Sequence, residues 1–392
     1  MKAVGKVHPV DICVLNPYFH PQYGGTEHVL FEIYKRAAKR HNITVLTSSL
    51  NSGARTVDHI YGMKVVRMET RPHNIPGLPL PLLEMKGIGE EIARAGADIY
   101  HINNRYQYFN WTVKAIKQTG KKLAITIHNA LPIGIDFSTD TVGLLYDAVW
   151  GRKIMMQSDL ITAVSRNTML TTVPKNCLDK THVIPNGVDF ERFRPRPGDR
   201  KARAIRERAG SGKLVLNTAR LVRQKGQVYL IRALAKLNKG NADGNCGLMI
   251  IGSGPLRGLL KSEAKAQGLD NACTLAEGIQ DNDLPYYYNA ADVYAMPSLY
   301  EPSGLAVLEA MASGTPVVAS SIGGLPEIIR DGGRYVTPRN VEGLAAEIKL
   351  LMDNKKLASR LSRNARNIVV KHHDWDRIAR EYERRFEETI RS

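Results

Sequence analysis

Cysteine is scarce in this chain of 392 residues. There are four, Cys13, Cys177, Cys246 and Cys273, far apart and without metal-ligand spacing, which argues against a disulfide-stapled scaffold or a zinc site and predicts reduced, mostly buried thiols. Long apolar runs are missing too. No stretch approaches the roughly 20 residues that span a bilayer, and the opening Met1-Lys-Ala-Val-Gly-Lys has no apolar signal-peptide core, so the sequence predicts a cytoplasmic protein. Blocks of like charge are also absent, although Lys and Arg outnumber Asp and Glu by 55 to 38 and the formal net charge is +17. The excess is spread along the chain, 22 against 15 over residues 1–190 and 33 against 23 over residues 191–392. A dispersed surplus argues against a nucleic-acid-binding arm. It fits a phosphate-bearing substrate and an anionic surface nearby.

What is present, 43% hydrophobic and 24% charged residues, describes a globular protein with enough chain for two domains. Short apolar runs at Val10–Asn16, Asn42–Thr47, Met63–Met68, Asp98–Ile102 and Leu123–His128 alternate with helical patterns, which predicts a mostly parallel sheet. Between them Arg71 to Leu82 reads as a proline-rich loop that cannot be a central strand. Gly24-Gly25 makes a glycine turn that feeds a helix with Thr26 as its candidate cap, but the Gly-x-Gly-x-x-Gly fingerprint is absent. Residues 193–201 are polar and basic, read as a linker, and put a domain boundary near residue 195. Strand patterns then resume at Lys213 and Cys246.

The densest pattern is Glu301-Pro-Ser-Gly-Leu-Ala-Val-Leu-Glu309, followed by Ala-Met-Ala-Ser-Gly314-Thr-Pro316. Its spacing predicts a helix opening at Ser303-Gly304 and closing at Ser313, with Gly314 at the position after the cap, between strands at 292–297 and 316–320. The N–H groups of Ser303, Gly304 and Leu305 would then face an anion at the helix N-terminus. Glu301 and Glu309 flank that end, either as acceptors for sugar hydroxyls or as a capping acid and a solvated helix residue. Arg220 and Lys225 lie five residues apart in the loop after a strand and can converge on one diphosphate, or be merely solvated. His128 ends its strand, where ligands of open α/β sheets gather, though a strand-end histidine is often structural. Asp281-Asn-Asp283 could hold a divalent cation in another fold. Here it directly precedes a helix, so capping explains it better and no metal is expected.

These residues resemble the retaining nucleotide-sugar glycosyltransferases of family 4, with the GT-B fold. The likeness rests on the two glutamates separated by seven residues in Glu-Pro-Ser-Gly-Leu…Glu-Ala-Met-Ala-Ser-Gly-Thr-Pro, on Arg220-Leu…Lys225-Gly, on Thr126-Ile-His128-Asn, on Ile-Pro-Asn-Gly-Val-Asp189 and on Gly252-Ser-Gly-Pro. Ser303 departs from it, since family members commonly carry an aromatic residue there. The resemblance implies two Rossmann-like domains with mostly parallel sheets facing a central cleft, residues 1–195 on the acceptor side joined by a C-terminal helix at 375–392, and residues 196–374 binding the nucleotide sugar. It implies His128 and Glu301 as the catalytic pair, with Glu301 on the sugar and His128 at the reaction centre. Glu309 would take the ribose, and Arg220 and Lys225 the diphosphate, with Ser303, Gly304 and Leu305. Gly24 and Gly25 would lie beside the diphosphate and the acceptor entrance, and Ile279 would meet the nucleobase through its backbone. The implied reaction is retaining and needs no cofactor or metal. The donor would be a nucleoside diphosphate sugar, UDP ranked above GDP and ADP. A silent nucleotide-binding scaffold and a phosphorylase are the alternatives; intact motifs argue against the first and a missing pyridoxal-lysine context against the second.

For the acceptor, the aromatic and basic stretches Tyr106 to Lys122 and Trp150 to Met156 suit either an anionic membrane or plain packing under the sheet. The first predicts an enzyme peripheral to the cytoplasmic leaflet with a lipid or lipid-linked acceptor; the second leaves a soluble small-molecule or polysaccharide acceptor.

Overall fold

The computed structural model describes residues 9–21, 24–49, 53–74, 81–104, 110–129, 137–209, 212–239 and 246–392. Two compact units account for them, Met1–Asn186 with Trp375–Ser392, and Gly187–Asp374. The division falls at Asn186–Gly187, earlier than the boundary near 195 expected from the polar linker. Its cause is packing: Phe193 is buried with its ring 5.7 Å from Tyr288, and Val188 bridges to Asp374, so the linker belongs to the second unit.

In the first unit the order is β1 (Asp11–Leu15), α1 (Gly25–Ala37), β2 (Asn42–Ser49), β3 (Thr56–Ile60), β4 (Met63–His73), β5 (Leu82–Met85), α2 (Ile88–Ala95), β6 (Ile99–Ile102), α3 (Asn110–Gln118), β7 (Lys122–Ile127), α4 (Phe137–Tyr146), a π turn (Asp147–Gly151), α5 (Arg152–Gln157), β8 (Leu160–Ala163), α6 (Arg166–Thr172) and β9 (Thr181–Val183). The sheet runs β3-β4-β2-β1-β6-β7-β8-β9, parallel from β4 to β9. β6 and β8 are buried at every position and β1 and β7 beyond their first residue, as strands covered by helices on both faces must be. Two strands run antiparallel at the edge, β3 and β5, both on β4. The second replaces the loop expected from Arg71 to Leu82 at its two ends only; residues 75–80 of that stretch lie outside the described residues. Thr70 to His73 pair only with β5, beyond the last contact with β2 at Glu69, so Pro72 sits in a two-strand ribbon where its missing N–H is tolerated.

The second unit contains α7 (Arg200–Arg208), β10 (Lys213–Thr218), α8 (Gln227–Lys239), β11 (Cys246–Ile251), α9 (Arg257–Ala266), β12 (Cys273–Ala276), α10 (Leu284–Ala290), β13 (Val293–Met296), α11 (Leu305–Ala312), β14 (Val317–Ser320), α12 (Leu325–Ile329), β15 (Gly333–Val336), α13 (Val341–Asp353) and α14 (Lys355–His372). Its six strands are all parallel in the order β12-β11-β10-β13-β14-β15. Strand order therefore reverses between β10 and β13, and in open α/β sheets the crevice outside the carboxyl ends at such a switch is where ligands bind. α7, α10, α11, α12 and α14 cover one face of this sheet, and α8, α9 and α13 the other.

The chain ends on α15 (Trp375–Arg391), which packs on the first unit through Trp375, Ile378, Ala379, Tyr382 and Phe386. Tyr382 and Phe386 close around the buried His101 ring at 6.0 and 5.4 Å. Arg36 and Arg40 pair with Asp376 and Glu383 at 2.5 and 2.6 Å and fix the helix register on α1. Trp375, only 1% exposed, is the largest anchor. Trp375→Ala is expected to cost about 3–5 kcal/mol of stability in the first unit. Denaturant titration checks this, and a loss below about 1 kcal/mol would mean that α15 is not held by its apolar face.

Candidate functional site

The loops after β10 and β13 meet at the switch point of the second unit. Gly226 ends the first loop with φ +64°, and a side chain there would place its Cβ 2.1 Å from the Pro297 carbonyl oxygen in the second. The loops are also sewn together by the Leu299 N–H, which donates to the Gln224 carbonyl at 2.7 Å. That approach brings the Lys225 ammonium to 2.6 Å from Oε2 of Glu301. The other carboxylate oxygen, Oε1, accepts the Gly304 N–H at 3.1 Å, and Glu301 is 6% exposed. Its backbone is fixed as well: the carbonyl accepts from Gly324 N–H at 3.0 Å, and Gly323, at φ +60°, lies so close that an added Cβ would stand 2.2 Å from it.

This geometry amends two sequence expectations. The Gly304 N–H is occupied by Glu301, and the helix begins one residue later than expected, at Leu305, with Gly304 as its left-handed N-cap. Ser303 and Leu305 are half-buried beside it. Lys225 is held by the glutamate, while Arg220, which the spacing suggested would converge with it, is exposed and anchored by its own carbonyl accepting from Gln227 at 2.9 Å. α11 ends as its sequence predicts. Gly314 N–H returns to Met311 and Thr315 N–H to Ala310, a Schellman closure with Gly314 at φ +76°.

Glu309, half-buried in the second turn of α11, accepts the Tyr288 hydroxyl at 2.6 Å. Tyr288 is fully buried, and its oxygen is also 2.6 Å from Thr218 Oγ1 at the end of β10. Tyr294 reaches the same hydroxyl and the Thr218 carbonyl, each at 3.3 Å. Burial lifts the Glu309 carboxyl to about 7, against the Tyr288 hydrogen bond, which pulls it down. Neither Tyr288 nor Thr218 stood out in the sequence, since one is a single member of Tyr286-Tyr-Tyr and the other an ordinary strand threonine. Ile279, half-buried, packs against the core cluster that holds Tyr288 and Leu308. Asp281 and Asp283 do not cap as expected. The Asp283 side chain makes no cap hydrogen bond to α10, and the two acids pair with Arg192 at 2.7 Å and Lys201 at 3.4 Å because the basic linker packs alongside.

In the first unit the carboxyl ends of β1, β6 and β7 carry Asn16, Asn103 and His128, all buried. The Asn103 amide donates to Asn16 Oδ1 at 3.3 Å, which leaves its own Oδ1 to accept from His128 Nε2 at 3.1 Å. The proton then sits on Nε2 and Nδ1 remains an acceptor. Burial pushes His128 down to about 4, so the ring is neutral at physiological pH. The two asparagines escaped sequence reasoning because a lone strand-end Asn carries no pattern. Gly24 and Gly25 start α1, with Gly24 as N-cap; Thr26 is already helical and turns its hydroxyl to Glu27, so it is not the cap expected. The cysteines are free, three of them buried, with Cys246 lifted to about 12 and Cys273 to about 11 by burial.

Residues 23–192 match the family model described as Glycosyltransferase Family 4, and residues 199–368 the model described as Glycosyl transferases group 1. A GDP-mannose-dependent alpha-(1-6)-phosphatidylinositol monomannoside mannosyltransferase of Mycolicibacterium smegmatis is 35% identical over 57% of this chain and 61% of its own length. An uncharacterised glycosyltransferase of Methanocaldococcus jannaschii is also 35% identical, over 52% of this chain and 53% of its own length. The chain thus spans between half and two thirds of these curated relatives. Among solved structures, sucrose-phosphate synthase from Thermosynechococcus elongatus superposes with a TM-score of 0.76 at 22% identity, covering 96% of this chain and 98% of that one.

The raised Glu309 carboxyl has a signed consequence. Between about pH 4.5 and 7 the folded ligand-free chain holds a proton that the unfolded chain releases, so stability falls as pH rises through that window. Glu309→Gln removes this slope. Thermal unfolding of both proteins should give curves that coincide below about pH 4.5 and diverge toward neutrality, the variant being the more stable; parallel curves would contradict the buried carboxyl.

Proposed function

Because the chain belongs to the family-4 glycosyltransferases with the GT-B fold, we propose that it transfers a hexosyl group from a nucleoside diphosphate sugar to a hydroxyl acceptor, with retention at the anomeric carbon. The observation that carries this is the Lys225–Glu301–Gly304 cluster at the switch point, with Glu309 one helix turn further on. Arg220 and Lys225 take the diphosphate; Glu301 accepts from hydroxyls of the sugar and Glu309 from those of the ribose. The bond from the anomeric carbon to the diphosphate oxygen breaks, the acceptor oxygen bonds to that carbon from the same face, and its proton passes to the departing diphosphate. The cations and the N–H groups at the start of α11 stabilise the charge that develops on the leaving group. His128 presents neutral Nδ1 as an acceptor for a hydroxyl near the reacting carbon. No metal is required on this reading.

UDP is the donor base the family uses more commonly. GDP-mannose is the second reading, favoured by the 35% identical mannosyltransferase; the two are separated by thermal shift with each nucleotide, since a ligand at one hundred times its dissociation constant adds about 2.7 kcal/mol. The same relative's lipid acceptor supports a lipid or lipid-linked acceptor here. So does the first unit's surface, where Trp111, Leu145, Val149 and Met156 are 61%, 60%, 42% and 48% exposed among Lys114, Arg152 and Lys153. Tyr106, Tyr108 and Phe109 lie outside the described residues. Among the described residues no helix is long and apolar enough to cross a membrane, and the proposed association is peripheral, at the cytoplasmic face.

Arg220→Ala with Lys225→Ala is expected to lower transfer at least about a thousandfold in a protein that still folds, with its unfolding transition lowered because Glu301 loses its counter-charge. Near-normal turnover in the double variant would refute the diphosphate assignment. Prolonged treatment with EDTA should leave transfer unchanged, and loss restored only by Mn²⁺ or Mg²⁺ would overturn the metal-free mechanism.

A further inference from the structure

The second unit holds 28 Lys and Arg against 19 Asp and Glu, and that surplus is concentrated. α14 carries Lys355, Lys356, Arg360, Arg363, Arg366 and Lys371 and no acid. Residues 191–208 carry eight cations against Glu191, Asp199 and Glu207. The surpluses of these two segments, six and five, together exceed the nine of the whole unit. The rest of the unit is slightly acidic.

The two segments are neighbours. Arg366 donates from α14 to the Phe190 and Phe193 carbonyls of the linker, both at 3.3 Å, and Ala202 of α7 shares a core cluster with Ala365 and Ile368 of α14. Along α14 the exposed residues Lys356, Arg360, Arg363, Asn367 and Val370 recur at helical spacing, opposite the buried Leu361, Ala365, Ile368 and Val369. Among the described residues Lys356, Arg360 and Arg363 have no acidic partner within ion-pair distance; the nearby acids are engaged elsewhere, Asp281, Asp283 and Asp292 on Arg192, Lys201 and Arg206 and Asp331 on Asn364. Beside the stripe lies a groove of about 320 Å³ lined by Arg363, Arg366, Asn367, Val370 and Lys371.

We propose that this face docks the second unit on an anionic phospholipid surface. Unpaired cations on a helix that has no acid meet headgroup phosphate, and Val370, 44% exposed within the stripe, gives the interface an apolar contact beside the arginine stems. A nucleic acid fits less well. Beside the linker cations Tyr286 lies under Arg196 and Lys201 at 5.1 and 4.8 Å, so its ring is already covered and is not presented for base stacking. The stripe shares no residue with the donor site, so this docking stands or falls apart from the transfer reaction, and its cations are distinct from those of the first unit's apolar surface.

The test is co-sedimentation of the full chain with vesicles of phosphatidylglycerol and phosphatidylcholine, and with phosphatidylcholine alone, at low and high salt. A surface-facing cation strengthens binding about fivefold, so Lys356→Gln with Arg360→Gln and Arg363→Gln should weaken binding to the anionic vesicles about a hundredfold, flatten its salt dependence and leave donor hydrolysis unchanged. Wild-type affinity in this triple variant overturns the proposal, as does failure of the wild type to bind anionic vesicles at low salt. Loss confined to a Trp111→Ser, Leu145→Ser variant of the first unit would assign binding to that surface instead. An RNA oligomer held more tightly than the vesicles at equal salt would replace the lipid with a nucleic acid.

Discussion

The contact on which the rest of the site depends is the Lys225–Glu301 ion pair, 2.6 Å long and largely withdrawn from water. Two charges in such a place are costly to separate, since removing one partner of a buried pair typically loses about 3–5 kcal/mol. The pair therefore sets the spacing of two loops that leave the sheet on opposite sides of its switch point. It also makes the two halves of a donor molecule interdependent. On the proposed reading a diphosphate arriving at Lys225 competes with the glutamate for the ammonium, and a sugar hydroxyl arriving at Glu301 meets a carboxylate whose counter-charge has been drawn toward phosphate.

That interdependence requires backbone approaches that only glycine permits. Gly226 brings the lysine loop against Pro297, and Gly323 brings the turn after β14 against the Glu301 carbonyl. Both have positive φ, and at both an added Cβ would overlap a carbonyl oxygen. The parallel order of the sheet supplies the rest. Strands buried on both faces hold their carboxyl ends rigidly, so loops of a few residues can place a carboxylate and an ammonium within hydrogen-bond distance while remaining open to solvent beyond them.

The sequence was most legible where one residue type does one job. Gly314 after an apolar helical run and Pro316 beyond it predict where α11 stops, and the structure closes the helix there by a Schellman pair. Legibility failed where a tertiary contact outbid a local preference. Pro72 was read as a loop breaker, yet it lies in β4 where only β5 pairs with it. Asp281 and Asp283 look like capping acids, but Arg192 and Lys201, 89 and 82 residues away in sequence, take them first. Residues 193–201 are polar enough to suggest a free linker, yet the Phe193 ring against Tyr288 and the hydrogen bonds of Asn289 with Arg194 and Arg196 bind that stretch to the second unit. In the site itself the charged residues carry recognisable spacing, whereas Asn16, Asn103, Thr218 and Tyr288 contribute only hydrogen bonds across long sequence separations, which no local pattern records.

Two buried histidines show how a structural group differs from one available to a ligand. His101 has both ring nitrogens engaged, Nδ1 with Tyr34 at 2.6 Å and Nε2 with Thr126 at 2.7 Å, and α15 closes over it. Burial holds it down to about 3, with His128 nearby as a second cause, so it stays a neutral strut of the core. His128 sits one strand over, equally buried, but at the end of β7, with Nε2 committed to Asn103 and Nδ1 the acceptor that this tautomer leaves. The second unit repeats the arrangement with other chemistry: Tyr288, its hydroxyl also bonded to Thr218, holds one oxygen of Glu309, which leaves the other oxygen of that carboxylate as an acceptor. In each unit a fully buried polar partner fixes one side of a group at the carboxyl end of the sheet, because an unsupported polar side chain there would be neither oriented nor affordable. Among the described residues no core group satisfies the remaining acceptor of His128 or Glu309, and that asymmetry is what separates them from the many polar residues that merely complete the fold.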